Sequence, residues 1–387
     1  MTKKLLIISS DFISAWVEKG EVVPRYYNPG NLFDEVHIMM TNDDRPDPTL
    51  VQSMVGDAKL FLYNYPEPPR FFKKTLGWRP WLIKKWSNGA VELARKIHPD
   101  IVRCYGLHLN AFLGAQIKKK LGIPFLVSLH INPDENFRKV TSSLKKRFIF
   151  CCLKSIEAVG LKWADLVLPV YQPIVPYLEK RKVRNFEVCY NVVNGSKLKK
   201  KDDYDQQSGL FKLLCVGNLH EQKNPENIVK AFKGLKNVCL DIVGNGPLRN
   251  GLMELVAKEG FLERIAFVAS MPNEKLCEIL PTYDAVVLHT EHYEFSKVMI
   301  ESALCGVPLI VNSLRSGLSV SELDGICLFV ESSPEGYTEG ITRLMGDAGL
   351  RKRLGNAAYK KVSTLCGPLR AEAKFEKIYR SFLASER

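Results

Sequence analysis

Y-E-F-S-K-V-M-I-E-S-A-L-C-G-V-P-L-I, residues 293–310, reads in order as a polar loop, a helix and the start of a strand. Val298, Met299, Ala303 and Leu304 fall on one helical face, and Gly306 and Pro308 stop the helix before Leu309–Val311 begins a new apolar run. The apolar strand Ala285–Leu288 ends just upstream. A helix starting at Ser296 points free backbone N–H groups and its positive dipole end at whatever lies beyond that strand, an arrangement suited to a phosphate. Glu301 is the one carboxylate at a defined place on the helix, able to accept hydrogen bonds from the hydroxyls of a ribose. The alternative is an ordinary buried βαβ unit with a solvated glutamate.

Working outward, strands and helices alternate along almost the whole chain. Lys4–Ser10, Glu35–Met40, Leu60–Asn64, Asp100–Gly106, Pro124–His130, Asp165–Val170 and Phe186–Val193 read as strands, with helical patterns such as Leu82–Ile97 and Leu109–Leu121 between them. Residues 194–209 are polar, glycine-flanked and nearly devoid of apolar side chains, which marks a linker. The alternation then restarts with Leu213–Val216, Val238–Val243, Ile265–Ala269, Ala285–Leu288, Leu309–Val311 and Ile326–Val330. Such order predicts two doubly wound α/β domains, each with its ligand beyond the carboxyl ends of the strands and, if they face each other, a ligand in the cleft between them.

Two further loops join the first on that predicted face. Gly217-Asn-Leu-His-Glu-Gln-Lys223 follows the first strand of the second half, where Gly217 allows a tight turn and Lys223 supplies a positive charge ahead of a helix opened by Pro225. Gly244-Asn245-Gly246-Pro247 follows the next strand, its glycines permitting close backbone approach and its proline opening another helix. Read as G-x-G-x-x-G the loop fails, because position 249 is arginine, and no acidic residue ends the following strand as a nicotinamide site requires. A helix cap without a ligand is the bland reading of each loop alone.

Composition excludes other classes. The chain has 387 residues, 46% hydrophobic and 25% charged, which is ordinary for a globular protein with two cores. Its N-terminal apolar run reads as a first strand, not a signal peptide, and no stretch approaches the roughly 18 apolar residues of a membrane span. The ten cysteines include no C-x-x-C spacing, and the adjacent Cys151 and Cys152 are poorly placed for a relaxed disulfide, so reduced thiols in a cytoplasmic protein are expected. The net charge of +13 is concentrated: residues 1–200 carry 32 Lys and Arg against 18 Asp and Glu, whereas 201–387 carry 23 against 24. Cations alternate with large aromatics in Arg70–Trp86 and Leu144–Lys154, a pattern suited to an anionic membrane surface. Nucleic acid is the rival partner, and half-buried helices with solvated lysines are the plain one.

The three loops in this order resemble the nucleotide-sugar domain of GT-B retaining glycosyltransferases, family 4 or "group 1". V-G-N-L-H-E-Q-K, V-G-N-G-P and Y-E-F-S-K-V-M-I-E-S-A-L-C-G-V-P-L-I match the family's V-G-R-L with its following lysine, V-G-x-G-P, and E-x-F-G-x-x-x-x-E-A with A-C-G-x-P-V-I. G-I-P-F-L-V-S-L-H, ending at His130, matches a strand of its first domain, and Ala371–Ala384 its last helix.

The resemblance implies an α/β GT-B fold of two doubly wound Rossmann-like domains facing each other across a cleft. An acceptor-binding domain would span 1–195, a linker 196–209 and a nucleotide-sugar domain 210–367, with the helix of about 368–387 packing back on the first domain. It implies a cytoplasmic hexosyltransferase without metal or other cofactor. The nucleoside diphosphate sugar is the donor, and a glycan or lipid-linked acceptor, as in cell-surface polysaccharide or glycolipid synthesis, is met by a chain peripheral to the inner face of the membrane.

Site roles follow in the same way. Lys223 would neutralise the diphosphate, Gly244–Pro247 approach it or the nucleoside, Ser296, Lys297 and Val298 offer backbone N–H groups, Glu301 bind the ribose, and His130 contact the transferred sugar. Lys19 and Gly20 match a phosphate- or acceptor-touching loop, and Gly217, Asn218 and Phe295 complete the donor set. Two positions depart from the pattern. Asn218 replaces an arginine, for which Arg249 or Lys297 could compensate, and Tyr293 replaces the first glutamate, whose role passes to Glu294 if the loop is shifted by one residue. These departures leave open a non-catalytic nucleotide-sugar-binding protein, and the fold alone leaves open a sugar-nucleotide epimerase.

Overall fold

A computed structural model describes residues 2–67, 80–138, 144–205, 209–314 and 320–384. These fall into two compact units, one made of 1–18, 22–192 and 371–387, the other of 19–21 and 193–370.

The first unit is built on a parallel sheet of six strands, β1 (Lys4–Ser9), β2 (Glu35–Met40), β3 (Lys59–Asn64), β4 (Ile101–Tyr105), β5 (Phe125–Leu129) and β6 (Leu166–Pro169), in the order β3-β2-β1-β4-β5-β6. Leu5–Ile8 and Phe125–Val127 are unbroken apolar runs because helices cover both faces of such a sheet. In register, Leu5 lies opposite both Val36 and Ile101. Helices Pro80–Ile97, Leu109–Leu121 and Leu144–Trp163 pack together over one face. Leu109–Leu121 ends at Gly122, whose positive φ of 76° closes the helix. Phe186–Val193, expected as a seventh strand, forms only one parallel bridge, Phe186 to Val167, although Cys189 N–H still donates to the Pro169 carbonyl at 2.9 Å. Lying beside the last strand, it is not a member of the six-stranded sheet.

The last helix, Pro368–Ala384, contributes its residues from 371 onward to this unit. Phe375, Ile378 and Tyr379 enter the core beside Leu5, Ile7 and Leu126. At its centre is a buried cation. Arg103 on β4 donates to Ser128 Oγ at 2.9 Å and Tyr379 Oη at 3.0 Å, and its guanidinium lies 4.2 Å from the Phe375 ring centre and 4.7 Å from that of Tyr105. Aromatic faces and hydroxyl oxygens substitute for the water this charge lost. Arg25 adds a forked pair to Glu372 at 2.6 and 3.0 Å.

The second unit repeats the scheme with β7 (Phe211–Val216), β8 (Val238–Val243), β9 (Ile265–Val268), β10 (Ala285–Leu288), β11 (Leu309–Asn312) and β12 (Cys327–Val330), ordered β12-β11-β10-β7-β8-β9 and parallel throughout. Of the stretch read as a linker, 200–205 are docked on this unit. Tyr204, 5% exposed, donates to the Gly306 carbonyl at 2.8 Å, and the buried Arg351 donates to the Tyr204 carbonyl at 2.7 and 3.0 Å. Lys201 adds bonds from its N–H to the Cys305 carbonyl at 2.8 Å and from its ammonium to the Pro281 carbonyl at 2.9 Å, so composition hid an attachment made by two side chains and backbone groups.

Most of the cationic aromatic stretch Arg70–Trp86 lies outside the described residues, as do the side chains of 144–150. Lys154, at the end of the second such stretch, pairs with Asp134 at 2.6 Å and with the buried Glu157 at 2.9 Å. No described helix is long and apolar enough to cross a membrane. The nine described cysteines are free, and seven of them are buried.

Candidate functional site

In the second unit the chain leaves β7 toward β8 on one side, and β10 toward β11 on the other. The loops after β7 and β10 therefore diverge, and a crevice opens where the strand order reverses. Gly217, Leu219, Lys223, His289, Thr290, Glu294, Ser296, Val298 and Met299 line a slot there of ≈ 20 Å³, room for about one water.

The walls are held by backbone contacts that only glycine permits. Gly217 N–H donates to the Val243 carbonyl at 3.1 Å, Leu219 N–H to Asn245 at 2.9 Å, and Leu248 N–H back to Leu219 at 3.1 Å. A Cβ on Gly244 would overlap the carbonyl oxygen of Gly217, and one on Gly246 that of Leu219. The two glycines thus let the β8 loop cross beneath the β7 loop. Asn245 and Pro247 are exposed at its tip. Lys223 closes a short 3₁₀ turn, Glu221–Lys223, and Gln222 accepts from Glu291 N–H at 2.9 Å, drawing the β7 and β10 loops together. The Lys223 ammonium and the Glu294 carboxylate meet at 2.9 Å.

The β10 loop is anchored from below. Thr290 N–H donates to Asn312 Oδ1 and Asn312 Nδ2 returns a bond to the Thr290 carbonyl, each at 2.8 Å and both residues buried. Tyr293 and Phe295 turn inward, 8% and 0% exposed, which aims the intervening Glu294 at Lys223. The helix Lys297–Leu304 begins after Ser296, whose side chain makes no capping bond, and Ser296 and Val298 face the slot. The positive end of that helix adjoins Lys223.

Glu301, on the second turn, is 2% exposed. Its Oε1 accepts from Asn273 Nδ2 at 2.9 Å, and the Lys297 ammonium stands 4.0 Å away. Burial raises its carboxyl above the ordinary range, against the opposing pull of Lys297 and Asn273. Asn273 N–H in turn donates to the Lys19 carbonyl at 2.8 Å, and Gly20, with φ of +61°, passes against Pro272 and Asn273. Lys19 and Gly20 therefore join Glu301 through a residue that sequence reading missed. Asn218 is exposed at the turn tip.

His130 belongs to the first unit, just past β5. Its ring stacks on Tyr105 with centroids 5.6 Å apart and planes inclined by 24°. Nε2 is buried with no hydrogen-bond partner among the described residues. Burial brings the imidazole down to about 4, assisted by Arg103 and opposed by Asp11 and Asn191, so the ring is neutral at neutral pH. Asn312, Asn273 and Thr290 were not foreseen; the one local signal was an asparagine closing the apolar strand L-I-V-N. Among the described residues no group of three or more His, Cys, Asp or Glu side chains is placed to hold a metal ion.

Residues 196–361 match the family model described as Glycosyl transferases group 1, and residues 32–197 match that of Glycosyltransferase Family 4. The N-acetyl-alpha-D-glucosaminyl L-malate synthase of Bacillus anthracis is 22% identical over 311 residues, 78% of this chain and 80% of that protein. Among solved structures, sucrose-phosphate synthase from Thermosynechococcus elongatus superposes with a TM-score of 0.74 at 18% identity, covering 99% of this chain and 100% of the other. Anabaena HepE in complex with UDP superposes with a TM-score of 0.73 at 14% identity, covering 98% and 100%.

Proposed function

The chain belongs to the family 4 glycosyltransferases of GT-B fold, and on that premise we propose that it is a retaining hexosyltransferase using a nucleoside diphosphate sugar. The observation that carries this reading is the meeting of Lys223, the positive end of the Lys297–Leu304 helix and Glu294 at one slot, where the strand order reverses. In the proposed reaction Lys223 exchanges Glu294 for the donor diphosphate, and the first-turn N–H groups share its charge. Glu301, its Oε1 already held by Asn273, receives the ribose hydroxyls on the other oxygen. His130, neutral, hydrogen-bonds the transferred sugar.

The bond from the anomeric carbon to the diphosphate oxygen breaks. A bond from the acceptor oxygen to the same carbon forms on the same face, and the acceptor proton leaves with the diphosphate. Positioning and charge neutralisation drive such a step without a metal. The acceptor in this reading is a glycan or lipid-linked glycan, met by the basic first unit of a cytoplasmic chain at the inner membrane face, in polysaccharide or glycolipid synthesis.

A thermal-shift panel of UDP, GDP, ADP and their sugars tests the donor, since a ligand at 100 times its dissociation constant stabilises by about 2.7 kcal/mol. The anomeric proton of the product tests retention. Sedimentation with anionic vesicles at moderate salt tests the acceptor surface. One observation favours a second reading, a nucleotide-sugar-binding protein without turnover: Lys223 is already neutralised by Glu294, and Asn218 brings no replacement charge. Nucleotide binding with neither donor hydrolysis nor transfer is the outcome that selects it.

A further inference from the structure

A second cavity, of ≈ 420 Å³, opens on the first unit. Its walls are the C-terminal turns of the helix Leu144–Trp163 and the segment that follows the helix Val175–Lys180. The helix leads into the amino end of β6, and the segment lies against that same end, where Val167 N–H donates to the Asn185 carbonyl at 3.0 Å. His130 follows the carboxyl end of β5, so the cavity lies at the opposite end of the sheet from that residue.

Four of its lining residues are cations, Lys162, Arg181, Lys182 and Arg184, and none is acidic. Arg181 is committed to Asp134 at 3.2 Å and Glu157 at 3.5 Å. Lys162, Lys182 and Arg184 are exposed and form no ion pair among the described residues. Helix dipoles account for part of this charge, because cations gather at helix C-termini. Two helix ends offer only about −1 in total, against three unpaired full charges. Lys182 also occupies a costly position. Its φ is 57°, with its N–H donating to the Glu179 carbonyl at 2.9 Å and Val183 N–H donating to Leu178 at 3.0 Å, the helix-ending geometry that glycine favours. A lysine there adds its ammonium to the unpaired cations Lys162 and Arg184 as a third positive charge on the rim. The buried Leu161 and the half-buried Val183 add apolar lining.

We propose that this cavity is a second anion site, for a ligand bearing a phosphate or diphosphate on an apolar stem, independent of the nucleotide-sugar slot. Its volume is within the range of small-molecule sites, about 300–1,000 Å³. Two or three charge-assisted bonds from Lys162, Lys182 and Arg184 hold the phosphate oxygens, and Asn185 adds an amide at the same rim. A lipid headgroup and a soluble phosphate ester share this chemistry.

Calorimetric titration of inorganic pyrophosphate into the full chain is the test, with K223Q alongside to remove the cation of the other site. In K223Q binding persists, and in K162Q/K182G/R184Q, added to K223Q, it weakens about tenfold or more. The three positions are exposed and Lys182→Gly relaxes its backbone, so folding is retained; an unchanged melting temperature verifies this. Equal pyrophosphate affinity with and without the triple substitution overturns the proposal, as does no binding in K223Q. Sedimentation with phosphatidylglycerol against phosphatidylcholine vesicles separates the sources. Retention on the former that the triple substitution abolishes assigns a lipid headgroup, and pyrophosphate binding without vesicle retention assigns a soluble phosphate ester.

Discussion

Lys223 and Glu294, carried by loops that follow two neighbouring strands, form an ion pair at 2.9 Å across the slot at the carboxyl ends of those strands. The side chains are 28% and 14% exposed, so the pair is neither deeply buried nor freely screened. An incoming diphosphate competes with Glu294 for the ammonium. Lys223→Met should reduce kcat/KM about 10²–10³-fold. Glu294→Gln should leave or strengthen nucleoside diphosphate binding while lowering kcat. Weaker nucleotide binding in Glu294→Gln would show that the carboxylate supports the donor site instead of occupying it.

Glu301 makes stability and binding move in opposite directions. Its folded carboxyl titrates above the unfolded value, so the folded state takes up the proton first and stability rises as pH falls through that window. Glu301→Gln should therefore melt at or above the wild-type temperature at pH 7.5. That advantage should shrink as pH approaches 4.5, and the nucleotide-induced shift should be lost at both values. A full nucleotide shift in the variant would remove Glu301 from the ribose.

His130 gives the reverse sign. With a folded value near 4 against an ordinary 6.5, its neutral ring contributes stability that is fully present above about pH 6.5 and is lost as pH falls toward 4. His130→Asn should lack this slope. The kcat profile should show no limb from this imidazole between pH 5.5 and 8. Imidazole NMR signals that titrate near 6.5 at this position would contradict the buried, unpartnered Nε2.

Gly244→Ala and Gly246→Ala should each cost on the order of 2–4 kcal/mol, because a methyl would meet a carbonyl oxygen that is itself fixed by neighbouring backbone bonds. Thermal denaturation measures the loss. Gly251→Ala, where nothing lies within 4 Å of the added carbon, is the control and should be neutral or slightly stabilising.

Much of the fold was legible because its signals are local. The apolar run Leu5–Ile8, the largely apolar strand Val238–Val243 and the helix ending at Gly122 are set by side-chain pattern and by glycine, so the alternation of elements could be read without tertiary knowledge. Phe186–Val193 failed because the same alternation also describes an extended segment beside the last strand. The stretch 200–205 read as a linker from polarity, yet Tyr204 and the Arg351 guanidinium fasten it through backbone carbonyls.

By itself the sequence determined the two doubly wound sheets and which three loops follow β7, β8 and β10, since order and spacing along a chain suffice for both. Tertiary structure alone decided what those loops do to one another. It turned Tyr293 inward and Glu294 onto Lys223, spent Gly244 and Gly246 on a backbone crossing, and tied Glu301 to Lys19 through Asn273. It also caged Arg103 among rings of the last helix. Each of these joins residues distant in the chain, and close approach of backbones governs them, a quantity that side-chain periodicity does not carry.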